Sequence, residues 1–113
     1  FLAANFIDDG ERLWIIDWEY GGFNNPYFDL ANLASNNSLD EISERLLLEL
    51  YMEAPVDPSM VRRLAAMKVM SLLREAMWSM TAEVHSHLDF DYRAYTDKQI
   101  GRLKLAQAAF EAL

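Results

Sequence analysis

The stretch WIIDWEYGGFNNPYFDLANLASN, residues 14–36, decides the fold because it holds the end of one strand and the start of one helix. Its apolar opening, WII, is typical of a buried strand, but that run leads into Asp17 and Glu19 and then into two glycines. A carboxylate at the end of a rigid strand is held in place, while the loop after it stays open to a ligand. Strand alternation puts Glu19 on the same side as Asp17. On these residues alone, a strand that simply ends at the surface remains the favoured interpretation.

The segments around this stretch predict a small hairpin followed by helices. The two strands are expected at Asn5 to Ile7 and Arg12 to Ile16, with Gly10 free to take a positive φ in the turn. Helices are predicted from capping residues, prolines and apolar spacing over residues 27–34, 41–52, 58–85 and 91–112. The third helix carries an apolar stripe that we expect to be buried: Met60, Leu64, Met67, Met70, Leu73, Met77 and Met80. The predicted fold class is α+β, mostly α, in a single domain over residues 1–113.

The composition fits one domain and disfavours several functions. Of the 113 residues, 52% are hydrophobic, and 18 acidic against 10 basic residues give a net charge of -8. Such a charge disfavours nucleic acid and anionic lipid as partners, and no apolar run is long enough for membrane insertion. The chain has no cysteine, which fits a cytoplasmic location and leaves out disulfides and thiolate metal sites. Because the chain opens inside an apolar segment without Met, we expect it to be cut from a longer protein.

The order of these motifs resembles the C-terminal lobe of the protein-kinase-like small-molecule kinases. These are the choline and ethanolamine kinases and the related aminoglycoside phosphotransferases. Their catalytic loop contains an Asp, four further residues and an Asn, and FLAA at residues 1–4 followed by Asn5 looks like the end of that loop. IDWEY at residues 16–20 looks like the Ile-Asp-Phe-Glu-Tyr run of choline kinases, and Phe-Asp-Leu follows at residues 28–30. The catalytic Asp would stand immediately before Phe1 and is therefore missing from this chain.

The resemblance implies the C-terminal lobe of a protein-kinase-like fold, without the nucleotide-binding N-terminal lobe. It implies that Asp17 and Asn5 hold Mg²⁺ on the phosphates of ATP, which suits a hard ion that takes few protein oxygens. Asp29 and Glu19 would support the site, with Asp29 as a buried acid that braces the catalytic loop by accepting backbone hydrogen bonds. From the residues alone, Asp29 is equally well explained as an acid favoured by the helix dipole. Since the catalytic Asp is missing, the segment alone is predicted to be inactive.

A second group of residues predicts a binding site for a cation. Trp78 and Glu75 are one helical turn apart, and Tyr95 follows in the next predicted helix. Quaternary ammonium groups bind in aromatic cages, and a nearby carboxylate helps to hold them. The resemblance to choline kinases implies that Trp78, Tyr95 and Tyr20 form such a cage, with Glu75 beside it. Without the resemblance, Trp78 would be interpreted as core packing on the methionine-rich stripe.

These expectations together predict part of a kinase that transfers the γ-phosphoryl group of ATP to a small cationic alcohol, choline first and ethanolamine second. The other partners implied are the nucleotide and the missing lobe of the same protein. An aminoglycoside or other amino-alcohol phosphotransferase on the same scaffold remains open, because Glu75 and the net charge of -8 suit a polycation. A non-catalytic helical interaction domain also remains open, and for it the acids near Asp17 would be surface residues.

Overall fold

The structure is a computed structural model that describes residues 1–17 and 21–113. A single 3₁₀ turn, Ala3–Asn5, leads into an antiparallel hairpin of β1 (Phe6–Asp8) and β2 (Leu13–Ile15). Four helices follow: α1 (Pro26–Asn36), α2 (Glu41–Met52), α3 (Pro58–His85) and α4 (Tyr92–Glu111). The predicted α+β class, mostly helical with a hairpin at the start, is confirmed.

The hairpin has a turn that its own side chains stabilise. The carboxylate of Asp9 accepts hydrogen bonds from the backbone N–H groups of Glu11 and Arg12, both at 2.9 Å. Gly10 has a φ of +87°, the left-handed region that glycine enters without a steric penalty. The register pairs Phe6 with Ile15, so the hairpin is short and brings the two chain segments beyond its open end close together.

Every α-helix begins at a side chain that accepts a backbone hydrogen bond from the first turn. The four N-cap residues are Asn25, Asp40, Asp57 and Asp91. Pro26 and Pro58 stand directly after two of these caps, where a missing N–H costs no helical hydrogen bond. These local signals explain why the predicted helix starts agree closely with the observed ones.

The central helix is α3, which packs against both α1 and α4. The apolar core gathers where α1, α2 and α3 meet, around Tyr27, Leu30, Ala31, Leu48 and Leu64. Among the helices of the described residues, none has the length and apolar character needed to cross a membrane.

The prediction that one methionine-rich stripe of α3 is buried is wrong for its second half. Leu64 is buried and Met67 packs against the core, but Met70 and Met77 are exposed by 49% and 58%. The buried residues beyond Leu64 are instead Ser71, Leu72, Ala76 and Ser79. Small side chains let neighbouring helices approach closely, so this face of α3 is covered and the larger methionines face outward.

Buried polar side chains join α1 to α3. The Asn32 amide donates from Nδ2 to Ser71 Oγ at 3.1 Å, and the hydroxyl groups of Ser35 and Ser71 are also 3.1 Å apart. Among the described residues, every buried side-chain nitrogen and oxygen has a hydrogen-bond partner. Burying polar groups is costly only when they lack partners, so this polar contact is compatible with a stable helix pair.

The end of α1 is closed by backbone hydrogen bonds in the Schellman arrangement. Leu39 N–H donates to the Ala34 carbonyl at 3.0 Å, and Ser38 N–H donates to the Ser35 carbonyl at 3.3 Å. Ser38 lies in the left-handed region with a φ of +53°, at the position where this motif usually has glycine. The chain therefore turns sharply away from α1 at a residue under mild backbone strain.

Candidate functional site

Asn5 and Asp17 come together at the open end of the hairpin, as the sequence predicts. Asn5 Nδ2 donates to Asp17 Oδ2 at 3.3 Å, and the backbone N–H of Ile16 donates to the Asn5 carbonyl at 3.0 Å. Asp17 is exposed and Asn5 is half-buried, so a ligand can reach both side chains. The hairpin thus fixes one carboxylate and one amide side by side at the surface.

Asp17 does not continue the strand, because its backbone leaves the extended region. β2 ends at Ile15, and Asp17 has a φ of +65°, which is uncommon for a residue other than glycine. The strand alternation used to place Glu19 on the same side therefore does not extend this far, and Glu19 lies outside the described residues. Strained backbone of this kind is found at ligand-binding positions when neighbouring contacts over-determine it.

The donor set at this pair is suited to a hard cation that keeps most of its ligands from elsewhere. Within the described residues, no group of three or more His, Cys, Asp or Glu side chains could hold a metal by itself. Asp17 supplies a carboxylate oxygen, and Asn5 can supply Oδ1 once its amide turns over, because Nδ2 now faces Asp17. Magnesium usually takes one or two protein oxygens and completes its shell with phosphate and water, so the pair fits this ion.

Asp29 is exposed on the first turn of α1 and is not buried as expected. Its neighbours Phe28 and Leu30 are half-buried and buried, whereas Asp29 is exposed at the start of the helix, where the helix dipole favours an acid. The bracing of the catalytic loop by Asp29 stays a prediction.

The side chain of Asn37, at the C-terminal end of α1, contacts the segment that precedes the hairpin. We call residues 1–3 the loop segment. Asn37 Oδ1 accepts from Ala3 N–H at 2.7 Å, and Nδ2 donates to the carbonyls of Phe1 at 3.1 Å and Leu33 at 2.7 Å. Asn32 also contacts this segment, through the Phe1 nitrogen. Neither asparagine was singled out as a site residue from the sequence, since nothing in the local pattern relates them to a segment more than 30 positions away.

Trp78 and Tyr95 belong to one group of aromatic rings, which also includes Phe90 and Tyr92. We call these four residues the aromatic cluster. Their ring centroids are 6.4 Å apart for Trp78 and Tyr95, 6.1 Å for Trp78 and Tyr92, and 4.9 Å for Phe90 and Tyr92. The planes are tilted by 80°, 67° and 66° in the same order, which is the edge-to-face packing that aromatic pairs prefer.

The rings of the aromatic cluster touch one another, so a cation would bind on the outside of the group. Trp78 is exposed by 46% and Phe90 by 53%, which leaves ring surface available to a ligand. Trp78 and Tyr95 were predicted from the sequence, whereas Phe90 and Tyr92 had no predicted role. Their spacing, Phe-x-Tyr-x-x-Tyr around the start of α4, was the available signal. Tyr20, the third predicted cage residue, lies outside the described residues.

Glu75 is joined to this cluster by a short hydrogen bond. Tyr95 Oη donates to Glu75 Oε1 at 2.7 Å, while Arg74 Nη2 lies 3.5 Å from Glu75 Oε2. Burial raises the pKa of the Tyr95 hydroxyl to about 12, and the hydrogen bond to Glu75 raises it as well. Tyr95 therefore stays protonated at neutral pH and holds the Glu75 carboxylate next to the aromatic rings.

An open groove of about 660 Å³ runs along the outward face of α3 beside Trp78. Most of its lining is apolar: Phe28, Met67, Met70, Leu73, Met77 and Trp78. Arg74 is its one charged residue among those that the structure describes. The methionines that the sequence placed in the core thus form the wall of a groove next to the aromatic cluster.

Comparison with known proteins identifies relatives of the same kind as the motifs predict. The crystal structure of a choline/ethanolamine kinase family protein from Mesorhizobium loti superposes with a TM-score of 0.84 and 32% sequence identity. The match covers 93% of this chain and 36% of that one. Protein LicA of Haemophilus influenzae is 38% identical over 50 residues, which are 44% of this chain and 19% of that protein. No protein-family model matches the chain.

The chain therefore spans about a third of the solved relative and a smaller part of the curated one. The identity extends over nearly all of the present residues and accompanies the same arrangement of hairpin and helices. The resemblance predicted from the motifs is thus confirmed, and the chain is related to the choline/ethanolamine kinase family through a mostly helical C-terminal lobe.

Proposed function

We propose that the protein containing this chain is a small-molecule kinase that transfers the γ-phosphoryl group of ATP to the hydroxyl of choline or ethanolamine. The observation that carries the proposal is the Asn5–Asp17 pair, in which the Asn5 amide lies 3.3 Å from the Asp17 carboxylate at the open end of the hairpin. In the resemblance, the residue before Phe1 is the catalytic Asp, which must stand between the phosphates and the alcohol.

The Asn5–Asp17 pair is proposed to face the nucleotide. Its two side chains would hold Mg²⁺, which, when bound, offsets the negative charge of the phosphates. Asp17 is exposed and lies at the surface beside the loop segment, where phosphate groups can approach. In such a reaction the protein contributes mainly by positioning and by electrostatic stabilisation.

The outer face of the aromatic cluster is proposed to bind the ammonium group. Trp78 offers exposed ring surface, and Glu75 lies within hydrogen-bond distance of Tyr95 in the same cluster. A cation on an aromatic face gains about 0.5 to 2 kcal/mol, and a carboxylate beside it adds attraction. Because Arg74 shares the Glu75 carboxylate, a ligand with a single positive charge fits this place better than a polycation.

The test is a substrate panel with the full-length protein, ATP and Mg²⁺. We expect release of ADP with choline or ethanolamine and a much weaker response to the neutral isostere 3,3-dimethylbutan-1-ol, which has the same shape as choline without its charge. An equal rate with the isostere would contradict the cation site. A preference for kanamycin over choline would instead indicate an aminoglycoside phosphotransferase on the same scaffold.

A non-catalytic interaction domain is distinguished by a second measurement. A kinase should be stabilised against heat by ATP only when Mg²⁺ is present, since binding to the folded state raises its stability. A full-length protein that shows neither this protection nor turnover would exclude the proposed kinase. The isolated segment of 113 residues is expected to be inactive in the same assay.

A further inference from the structure

We propose that Asn37 is a positioning residue that holds the loop segment, and with it Asn5, in the geometry needed for phosphoryl transfer. This inference rests on the proposed function, because it concerns the orientation of the residues that would face the nucleotide. Asn37 belongs neither to the metal pair nor to the aromatic cluster.

The side chain of Asn37 uses its oxygen and both of its N–H donors, and two of its three hydrogen bonds join the end of α1 to the loop segment. Oδ1 accepts from Ala3 N–H, and the two hydrogens of Nδ2 reach the carbonyls of Phe1 and Leu33. An asparagine that only closed its own helix would need the contact with Leu33 alone. The other two contacts cross 36 and 34 positions of sequence and grip the loop segment at two backbone groups.

The position of the loop segment passes directly to the metal pair. Ala3–Asn5 is a single 3₁₀ turn, in which Asn5 N–H donates to the Leu2 carbonyl at 2.9 Å. Asn5 then contacts Asp17 through its side chain. Because only one tight turn separates Ala3 from Asn5, a displacement at Ala3 moves the amide that faces Asp17.

The C-terminal end of α1, which carries Asn37, is itself held by hydrogen bonds from other parts of the chain. Leu39 N–H closes the end of α1 through the Ala34 carbonyl, and the guanidinium of Arg102 in α4 donates to the Ser35 carbonyl. A cation at the C-terminal end of a helix also suits the helix dipole. Asn37 therefore transmits the position of a fixed helix end to a short loop.

The test compares Asn37→Ala with Asn25→Ala in the full-length protein. Asn25 is the same residue type at the opposite end of α1, where its side chain accepts from Tyr27 N–H at 3.0 Å. Both variants lose a side-chain contact at an end of the same helix, but Asn37 alone contacts the loop segment. Asn37→Asp is included because it keeps an acceptor for Ala3 N–H, while its second carboxylate oxygen replaces both donors and faces the Phe1 and Leu33 carbonyls.

We expect Asn37→Ala to lower kcat about 10- to 100-fold, since small displacements of reacting groups are costly, while KM for the alcohol changes by no more than about two-fold. Asn37→Asp should also lower kcat, because its carboxylate is repelled by the carbonyls that the amide binds, and Asn25→Ala should keep kcat. A kcat for Asn37→Ala no lower than that of Asn25→Ala would overturn the proposal, as would a rise in KM with kcat unchanged. If Asn37→Ala does not fold, the same criteria apply to Asn37→Asp.

Amide hydrogen exchange separates this proposal from the proposed function. In a peptide covering residues 1–5, exchange should be faster in Asn37→Ala than in the wild type and in Asn25→Ala, because Ala3 N–H loses its acceptor. Unchanged exchange would show that Asn37 does not hold the loop segment. A wild-type protein inactive with every alcohol in the panel would refute the kinase, and the exchange result would then still decide whether Asn37 holds the segment.

Discussion

The Asn5–Asp17 pair and the aromatic cluster are held in place in different ways. The pair stands on a short hairpin, is joined by one hydrogen bond of 3.3 Å and includes a residue in the left-handed region. The cluster stands on and between the two longest helices, α3 and α4, and each ring packs against at least one other ring. The two groups of predicted site residues can therefore be disturbed separately. Changes at the pair should affect the chemical step, and changes at the cluster should affect binding of the alcohol.

The largest effect is expected from Asp17→Ala in the full-length protein. Losing the carboxylate removes the charge that would hold Mg²⁺ on the nucleotide, so kcat should fall by about 100-fold or more. KM for choline should change little, because the aromatic cluster is untouched. Steady-state kinetics of ADP release measure both quantities. Glu11→Gln, an exposed acid in the hairpin turn, is the control and should retain wild-type activity. A rise in KM for choline without a fall in kcat in Asp17→Ala would contradict the expectation that the pair affects the chemical step and the aromatic cluster affects binding.

A smaller effect, on KM for choline rather than on kcat, is expected from Trp78→Ala. Its exposed ring is the proposed surface for the ammonium group, so KM for choline should rise roughly ten-fold while kcat stays within a few-fold. Met80→Ala is a matched control, because Met80 lies on the same helix with a similar exposure of 44% against 46% for Trp78. If KM is unchanged in Trp78→Ala, the cation does not bind at the cluster.

The third prediction concerns the Tyr95–Glu75 hydrogen bond at alkaline pH. The pKa of Tyr95 is raised from 10.0 to about 12 by burial and by Glu75, so the folded state binds this proton more tightly than the unfolded state. The free energy of unfolding should therefore be fully supported by this bond below pH 10 and should fall as pH rises toward 12. Urea unfolding across this range measures the slope.

Tyr95→Phe should flatten that slope relative to the wild type, whereas Tyr51→Phe, which removes an exposed hydroxyl from α2, should leave it unchanged. Equal slopes in all three proteins would show that Glu75 is not held by Tyr95. In that case Tyr95 would not fix Glu75 beside the aromatic rings, and the acid of the aromatic cluster would be held as loosely as the Asn5–Asp17 pair.

The smallest effect is expected from Ser38→Gly, at the end of the helix that contacts the loop segment through Asn37. Ser38 has a φ of +53° at the end of α1, where glycine is unstrained. The free energy of unfolding should rise by about 0.5 to 1 kcal/mol, as measured by urea denaturation. Glu53→Gly, at a φ of +52° after α2, should give a similar gain. A loss of stability in Ser38→Gly would mean that the serine side chain contributes more than its backbone strain costs.

The helix starts were predictable from the sequence, whereas the packing of α3 was not. Asp40 and Asp57 mark the starts of α2 and α3 in the sequence itself, because an N-cap side chain contacts only the residues just after it. Apolar spacing identified the face of α3 with Met70 and Met77 as the buried one. It did so because a hydrophobic pattern gives no weight to Ser71 and Ser79, which are buried through hydrogen bonds to other helices.

The contacts of the candidate site also differ in whether the sequence could predict them. The contact between Asn5 and Asp17 was predictable, since a hairpin brings its two ends together, and the resemblance singled out the residue types. The contact between Asn37 and the loop segment was not, because it joins parts of the chain 34 to 36 positions apart without a shared pattern. The outward position of Asp29 also escaped the sequence, which shows only that its neighbours are apolar.

The hydrogen bond between Asn32 and Ser71 sets the register in which α1 lies along α3. Apolar side chains tolerate sliding, since one methylene group packs much like another, but an amide and a hydroxyl must meet within hydrogen-bond distance. A slip by one helical turn, about 5.4 Å, would bring Asn32 opposite Met67 or Glu75 and leave a buried amide without its partner. The hydrogen bonds among Asn32, Ser35 and Ser71 thus fix the register of α1 against α3. They fix how far the loop segment at one end of α1 stands from Trp78 on α3.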